Sequence, residues 1–334
     1  MAALCHDIGH LPFSHAAEHE LLPDGYSHEN MTVDLIKSDE MRGIWTEMRP
    51  PLIPDDIAKL AVDPKELPNQ EFSKWERILS EIIVGDSFGV DRMDYLLRDS
   101  LHAGVVYGKF DQYRLIDTLR ILPENDDENA EPVLGIDAGG MESAEALLLA
   151  RYFMYSQVYF HPVRRAYDKH LQDFMVSWLG ENGIPIDPPE FLKLTDNEVL
   201  SEISIAASDE SHPGHDPAKR IVSRGHFRVL YERNPMDAEK NPEAGESILN
   251  AASEKYGPEN VRHDRYIQKQ SANIFPIRSR DERIISSIAA SEVLKKVPLV
   301  NIDYVFINPE VQEDARNWLE ASRDDIIKST EEDE

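Results

Sequence analysis

The stretch CHDIGHLPFSH, from Cys5 to His15, places three histidines and an aspartate among apolar residues. Burying such polar side chains costs about 1–3 kcal/mol each unless they are paired or bind a metal. Packing alone therefore does not explain the cluster. A single buried histidine is more often a satisfied core residue, which is how we interpret His19 and His102. The cluster predicts a site of metal or proton-transfer chemistry.

The first residues of this cluster are typical ligands of a divalent metal. His6 and Asp7 are adjacent, and on a helix they would point about 100° apart, so both could reach one ion between them. The mixture of imidazole and carboxylate suits Mn, Fe, Zn or Mg rather than a metal that prefers thiolates. We expect a helix over residues 1–10, which would place His10 on the same face as His6.

Further pairs of histidine and glutamate follow. His15 and Glu18 are three residues apart, a spacing at which a carboxylate can orient an imidazole on one helix face. Such an imidazole can protonate a leaving group or bind phosphate. His28 and Glu29 add one more pair, just before an apolar helical pattern.

Composition sets limits on the class of protein. The chain has 334 residues, 41% of them hydrophobic, and a single cysteine, so we expect a folded protein of one large or two ordinary domains without an intramolecular disulfide. No apolar run approaches the roughly 20 residues of a membrane helix, and the opening residues MAAL do not resemble a signal peptide. We therefore expect a cytoplasmic protein that does not span a membrane.

The charge is strongly acidic. There are 63 Asp and Glu residues against 35 Lys and Arg residues, a net charge of −28. Such a field repels phosphate backbones, which are bound through Lys and Arg. Nucleic acid is therefore not an expected partner.

Hydrophobic periodicity predicts a mainly α protein. Apolar spacings of three and four dominate residues 1–100, as expected for helices joined by polar turns. Arg120–Asp137 reads as a β-hairpin with a long acidic tip. After it, residues 141–180 read as a long helical stretch, bent or broken near Pro162.

The pattern changes after residue 205, where the segments HFRVLYER, VRHDRYIQKQ and VNIDYVFIN are strand-like. We predict a helical core with a small β-hairpin over residues 1–205, a C-terminal α+β subdomain over 206–325 and an acidic tail over 326–334.

The string CHDIGHLPFSH resembles the signature of the HD-domain metal-dependent phosphohydrolases. Its extension GHLPFSH, followed by SHEN, is similar to the deoxynucleoside triphosphate triphosphohydrolase branch, which contains the SAM- and HD-domain enzyme and its prokaryotic relatives. The resemblance covers roughly residues 3–235. It implies an HD-domain helical core, a divalent metal, a dNTP substrate, an allosteric nucleotide and a homo-oligomer, either a dimer or a tetramer.

A second motif, GVDRMDYLLRDS at residues 89–100, supplies further carboxylates. Asp91, Tyr95 and Asp99 are spaced by four, so one helix face carries all three. Asp91 would lie in the first turn, where the helix dipole favours a carboxylate. From the residues alone, a solvated and salt-bridged helix is the simpler interpretation. The motif also resembles the second motif of the family, in which the matching Asp is a metal ligand.

A third segment, QVYFHPVRRAYDKH at residues 157–170, resembles the helix whose tyrosine packs against the deoxyribose. Tyr167 takes that position, and a ring against C2′ would leave no space for a ribose hydroxyl. The arginines that match allosteric contacts could equally neutralise an acidic surface. The resemblance as a whole implies the following roles: metal ligands His6, Asp7 and Asp91; catalytic residues His15 and Glu18; substrate-binding residues His10, His28, Glu29, Arg92, Tyr95, Asp99, Tyr167 and Asp168; and allosteric-nucleotide residues Arg114, Arg224 and Arg228.

The family's metal shell has a fourth protein ligand, a histidine on a helix upstream of the HD pair. Only five residues precede His6. We expect that the natural protein is longer, because every downstream site residue is present. The alternative is an inactive remnant.

The leading functional expectation is a metal-dependent hydrolase that converts dNTP to deoxynucleoside and inorganic triphosphate. One alternative is an HD phosphohydrolase that acts on another nucleotide or phosphoester. The other is a non-catalytic, nucleotide-binding regulatory subunit. Metal content and the release of triphosphate distinguish these three possibilities.

Overall fold

The computed structural model describes residues 1–125, 130–268 and 274–328. Helices dominate these residues, and two small sheets accompany them. The predicted mainly α fold, with a helical core and a small β part, is confirmed. The tip of the predicted hairpin at 126–129 and the end of the predicted tail at 329–334 lie outside the described residues.

Short helices build the part of the chain that precedes the hairpin. Two of them begin with capping boxes, in which Ser27 and Asn30, or Ser73 and Glu76, satisfy each other's backbone N–H groups. The helices are α1 Ala2–Cys5, α2 Glu18–Leu21, α3 His28–Lys37, α4 Asp39–Glu47, α5 Pro54–Ala61, α6 Lys74–Val84, α7 Val90–His102 and α8 Gln112–Thr118.

The predicted hairpin is present. Strand β1 (Leu119–Pro123) pairs antiparallel with β2 (Pro132–Asp137), and Leu119 lies opposite Ile136. Apolar and polar residues do not alternate regularly in either strand. Leu122, Leu134 and Ile136 are nevertheless buried, so the hairpin packs on the helical core.

The predicted break in the long helical stretch is also present. Helix α9 (Met141–Met154) runs into one π-helical turn, Tyr155–Tyr159, and α10 (Pro162–Leu179) follows. Pro162 lacks the N–H that a continuous helix requires and fits the first turn of α10. The helical stretch is therefore interrupted just before the helix that carries Tyr167.

The remaining elements form a three-stranded antiparallel sheet with helices around it. The sheet has the strand order β3-β7-β4, and all three of its strands were predicted. The elements are α11 Pro188–Phe191, α12 Asp196–Ala206, α13 His215–Val222, β3 Arg228–Glu232, α14 Pro235–Lys240, α15 Ala244–Tyr256, β4 Val261–Ile267, β5 Pro276–Arg278, β6 Ile284–Ser286, α16 Ser287–Ala290, β7 Asn301–Ile307 and α17 Gln312–Ile326.

The short strands β5 and β6 join the hairpin instead of the three-stranded sheet. The order of this second sheet is β1-β2-β5-β6, and β5 runs parallel to β2. Residues from the predicted α+β region thus pair with the predicted helical core. The domain boundary at 205/206 stays a prediction.

Three helices position the candidate site: α3, α7 and α10. Met31 and Leu35 of α3 pack with Phe174 of α10 in one apolar cluster. Leu96 of α7 and Leu147 of α9 are completely buried in another. Since each such side chain contributes about 1.5–3 kcal/mol on burial, the helices that carry the polar residues are held in place by their apolar faces.

The predicted helix over residues 1–10 is wrong beyond Cys5, because residues 6–9 form a turn. The N–H of Gly9 donates to Oγ1 of Thr32 at 3.0 Å, and a Cβ at Gly9 would lie 2.2 Å from the Thr32 nitrogen. This close approach to α3 requires the turn. His6 and His10 therefore do not share a helix face. Helix α4 was not predicted, and no described helix is long and apolar enough to cross a membrane.

Candidate functional site

The first part of the site joins His6, Asp7 and Asp91. Nδ1 of His6 donates to the carbonyl of Ala3 at 2.9 Å, because a carbonyl can only accept. In the neutral ring, Nε2 therefore carries the lone pair. It is buried without a hydrogen-bond partner, and it lies 3.3 Å from Oδ2 of Asp7 and 3.1 Å from Oδ1 of Asp91.

These three side chains fit a divalent metal. Ligands at about 2.0–2.2 Å from one ion lie about 3.0 Å apart in an octahedron and about 3.4 Å apart in a tetrahedron. The two distances from His6 Nε2 fall between these values. The carboxylates of Asp7 and Asp91 also raise the pKa of His6 to about 10, so the space between the three groups favours a positive charge. A buried, unpartnered nitrogen beside two carboxylates is suited to hold a metal.

The second part of the site is a histidine group, defined as His10, His15 and His28. Their ring centroids lie 4.4–4.8 Å apart. Glu18 holds two of the rings: Oε2 lies 2.8 Å from Nδ1 of His15, and Oε1 lies 2.7 Å from Nδ1 of His28. Asp7 links the two parts, because its Oδ1 lies 3.6 Å from Nε2 of His10.

The ionisation of Glu18 determines which nitrogens of the histidine group are available. Burial alone would raise the pKa of Glu18, but the hydrogen bonds from His15 and His28 hold it well below its usual range. As a charged carboxylate Glu18 only accepts, so His15 and His28 donate through Nδ1. Their Nε2 atoms are then the ones available to a substrate.

The loop before α2 has an unusual backbone. Phe13 and Ser14 have φ values of 58° and 61°, in the left-handed region, which costs free energy for residues other than glycine. The N–H of Phe13 donates to Oδ1 of Asp196 at 2.9 Å, and Oγ of Ser14 lies 2.8 Å from Nδ1 of His10. These contacts hold the loop so that His15 faces His10. Burial, and then the nearby His28, lower the pKa of His10 to about 4.

The face of α7 brings Asp91, Tyr95 and Asp99 together as the spacing predicts. Asp99 is paired: Oδ2 accepts from the hydroxyl of Tyr159 at 2.7 Å. The ring of Tyr159 also lies 6.2 Å from that of Tyr95. Tyr159 was not among the sequence candidates. The only signal for it was the density of aromatic residues just before the break at Pro162.

Two more predicted residues follow site residues on their helices: Arg92 follows Asp91 on α7, and Glu29 follows His28 on α3. The Arg92 guanidinium donates to the carbonyl of Gly85 at 3.2 Å and to Oδ1 of Asp86 at 3.3 Å, while its Nε is buried without a partner. Glu29 lies 3.3 Å from Nδ1 of His28. Arg92 is thus held next to Asp91 with one donor unused.

Tyr167 and Asp168 lie on α10, which also packs against α2. The Tyr167 ring lies 4.6 Å from the ring of His226. Asp168 lies 3.4 Å from both Arg164 and Arg165, and burial raises its pKa. Tyr167 therefore contacts the segment before β3, whereas Asp168 pairs with arginines of its own helix.

The three candidate allosteric arginines are not brought together by contacts within the described residues. Nε of Arg114 donates to the carbonyl of Gly139 at 3.0 Å, which ties α8 to the start of α9. Arg228 contacts the ring of His226, so it lies near Tyr167 instead. Arg224 has a left-handed φ of 58°.

Comparison with known families finds the model described as "HD associated region", which matches residues 110–256. Among curated proteins, the uncharacterized protein YwfO of Bacillus subtilis is 36% identical, over 71% of this chain and 53% of its own length. The deoxynucleoside triphosphate triphosphohydrolase SAMHD1 of Bos taurus is 27% identical, over 71% of this chain and 45% of its own. The chain thus spans about half the length of these relatives.

A solved structure is also similar. A hypothetical protein from Aquifex aeolicus superimposes with a TM-score of 0.77 at 33% identity. The match covers 95% of this chain and 78% of the other.

Proposed function

Because this chain belongs to the HD-domain phosphohydrolases and is related to their SAMHD1 branch, we propose that it is a metal-dependent dNTP triphosphohydrolase. The reaction adds water to dNTP and releases deoxynucleoside and inorganic triphosphate. One observation carries the proposal: Asp7 joins a metal-type ligand set to a histidine group held by a carboxylate.

His6, Asp7 and Asp91 would hold the metal. When bound, a divalent metal supplies Lewis acidity and lowers the pKa of a bound water. The chain's own residues would then orient the phosphates: the rings of His28 and His10 lie 4.4 Å apart, and Arg92 brings a positive charge beside Asp91.

His15 would act as the general acid. Glu18 accepts from Nδ1 of His15 at 2.8 Å, which fixes the ring and leaves Nε2 to hold the transferable proton. That proton goes to the 5′ oxygen of the deoxynucleoside as the bond between this oxygen and the α-phosphorus breaks. The attacking water forms the new bond to the α-phosphorus and loses a proton to the solvent.

The sugar would be held by Tyr95, Asp99 and Tyr167. Tyr95 and Asp99 extend along α7 from the ligand Asp91, over about 12 Å for eight residues. The Tyr167 ring would pack against C2′ and exclude a ribose hydroxyl. The similarity to SAMHD1 supports this choice of substrate.

The test is the product released from dNTP with Mn²⁺ by the protein expressed from its full reading frame, separated by anion-exchange chromatography. We expect inorganic triphosphate. We expect His15→Ala to lower kcat by about 10²–10⁴-fold, the usual contribution of a general acid. The matched control is His19→Ala: His19 lies in α2 and, like His102, is exposed, so the expectation that these two histidines belong to the core is wrong.

Two results would contradict the proposal. Release of pyrophosphate or orthophosphate in place of triphosphate would indicate another phosphoester reaction. Nucleotide and metal binding without any hydrolysis would indicate a regulatory subunit instead.

A further inference from the structure

The π-helical turn Tyr155–Tyr159 brings a tyrosine hydroxyl to the candidate sugar site. The hydroxyl of Tyr159 donates to Oδ2 of Asp99 at 2.7 Å, across 60 residues of sequence. Single π-helical turns are rare and are often found at functional sites. Here the turn directs Tyr159 toward α7, where Asp99 shares a face with the ligand Asp91.

Tyr159 is held on several sides. Its carbonyl accepts from the guanidinium of Arg164, which also pairs with Asp168 at 3.4 Å. Its ring lies 5.1 Å from Tyr155 and 6.2 Å from Tyr95. The hydroxyl therefore has a fixed position relative to both α7 and α10.

The contact with Tyr159 leaves one oxygen of Asp99 available. Within the described residues, Oδ2 of Asp99 accepts from Tyr159 and no donor reaches Oδ1. A carboxylate with one oxygen fixed presents the other in a defined direction. A substrate hydroxyl would donate a hydrogen bond to this oxygen. The bond would have the strength that is typical of hydrogen bonds to charged groups.

We propose that Tyr159 is a positioning residue for the sugar: it fixes Asp99 so that Oδ1 accepts from the 3′-hydroxyl of the deoxynucleotide. The inference rests on the proposed function and adds a residue that discriminates substrates by their 3′ group. Tyr159 itself does not touch the substrate.

The test compares kcat/KM for a dNTP with kcat/KM for the matching 2′,3′-dideoxynucleotide. A hydrogen bond to a charged group contributes a factor of about ten or more, so we expect Tyr159→Phe to lower the ratio of the two values about tenfold. Loss of folded protein would lower both values equally and leave the ratio unchanged. Tyr152→Phe, on the adjoining helix α9, should also leave the ratio unchanged.

A double-mutant cycle with Asp99→Ala tests whether Tyr159 acts through Asp99. In the Asp99→Ala background, Tyr159→Phe should not change the ratio further. An unchanged ratio in the single Tyr159→Phe variant, or an equal loss in both backgrounds, would overturn the inference alone. A parent chain that releases no triphosphate from dNTP would overturn the proposed function together with it.

Discussion

Replacing Asp91 with alanine removes one of the three side chains that converge on the candidate metal position. Its Oδ1 lies 3.1 Å from Nε2 of His6, close enough for both atoms to bind one ion. Loss of a residue that only supports a ligand typically weakens metal binding about 10–100-fold. Loss of Asp91 itself should therefore weaken binding by at least this factor, or about 1.4–2.8 kcal/mol.

The affinity for Mn²⁺ can be measured by isothermal titration calorimetry on the protein expressed from its full reading frame. Asp94→Ala is the matched control, because Asp94 lies on the same helix but is exposed and pairs with Arg98 at 2.8 Å. We expect normal affinity in the control and at least tenfold weaker binding in Asp91→Ala. Equal Mn²⁺ affinity in Asp91→Ala and the parent chain, with both folded by circular dichroism, would refute the assignment of Asp91 as a ligand.

Three further predictions test other parts of the molecule. Tyr167→Ala should narrow the preference for dNTP over NTP, measured as a ratio of kcat/KM values, whereas the exposed Tyr113→Ala should not; a parent chain that hydrolyses both sugars equally would contradict the role of the ring. Burial, with nearby arginines, lowers the pKa of His170 to about 3, so the unfolded chain takes up a proton below about pH 6.5 that the folded chain does not. The stabilisation that neutral His170 contributes is thus complete above pH 6.5, and the free energy of unfolding falls by about 1.4 kcal/mol per pH unit below it. Measured by urea unfolding, this free energy should fall less on acidification in His170→Gln than in the parent chain. An identical pH profile in the two proteins would be evidence against this effect. Gly9→Ala should lower the free energy of unfolding by about 1–3 kcal/mol, because the new Cβ would lie 2.2 Å from the backbone of α3. Gly43 has open space around it, so Gly43→Ala should not lower this free energy through a clash. Equal stability of the two variants would argue against the tight turn.

Local patterns were sufficient to predict much of the fold. The break at Pro162 follows from the missing N–H of proline, and the hairpin Arg120–Asp137 follows from two short apolar segments around an acidic turn. The shared face of Asp91, Tyr95 and Asp99 follows from helix periodicity. Each of these features depends on residues within one helix, one helix break or one hairpin, so the local sequence determines it.

The tertiary structure decided how these features meet. The turn after Cys5 replaces the predicted helix because Gly9 must approach α3. The histidine group forms because Glu18 accepts hydrogen bonds from His28, ten residues away, and from His15.

Contacts over longer distances were beyond the reach of local patterns. Tyr159 reaches Asp99 across 60 residues, and Arg278 on β5 donates to Asp137 across 141 residues. Helix periodicity states which side chains share a face, but it does not state which other element that face will meet. The partner depends on how the apolar faces of α7, α9 and α10 pack, and this packing is a property of the whole chain.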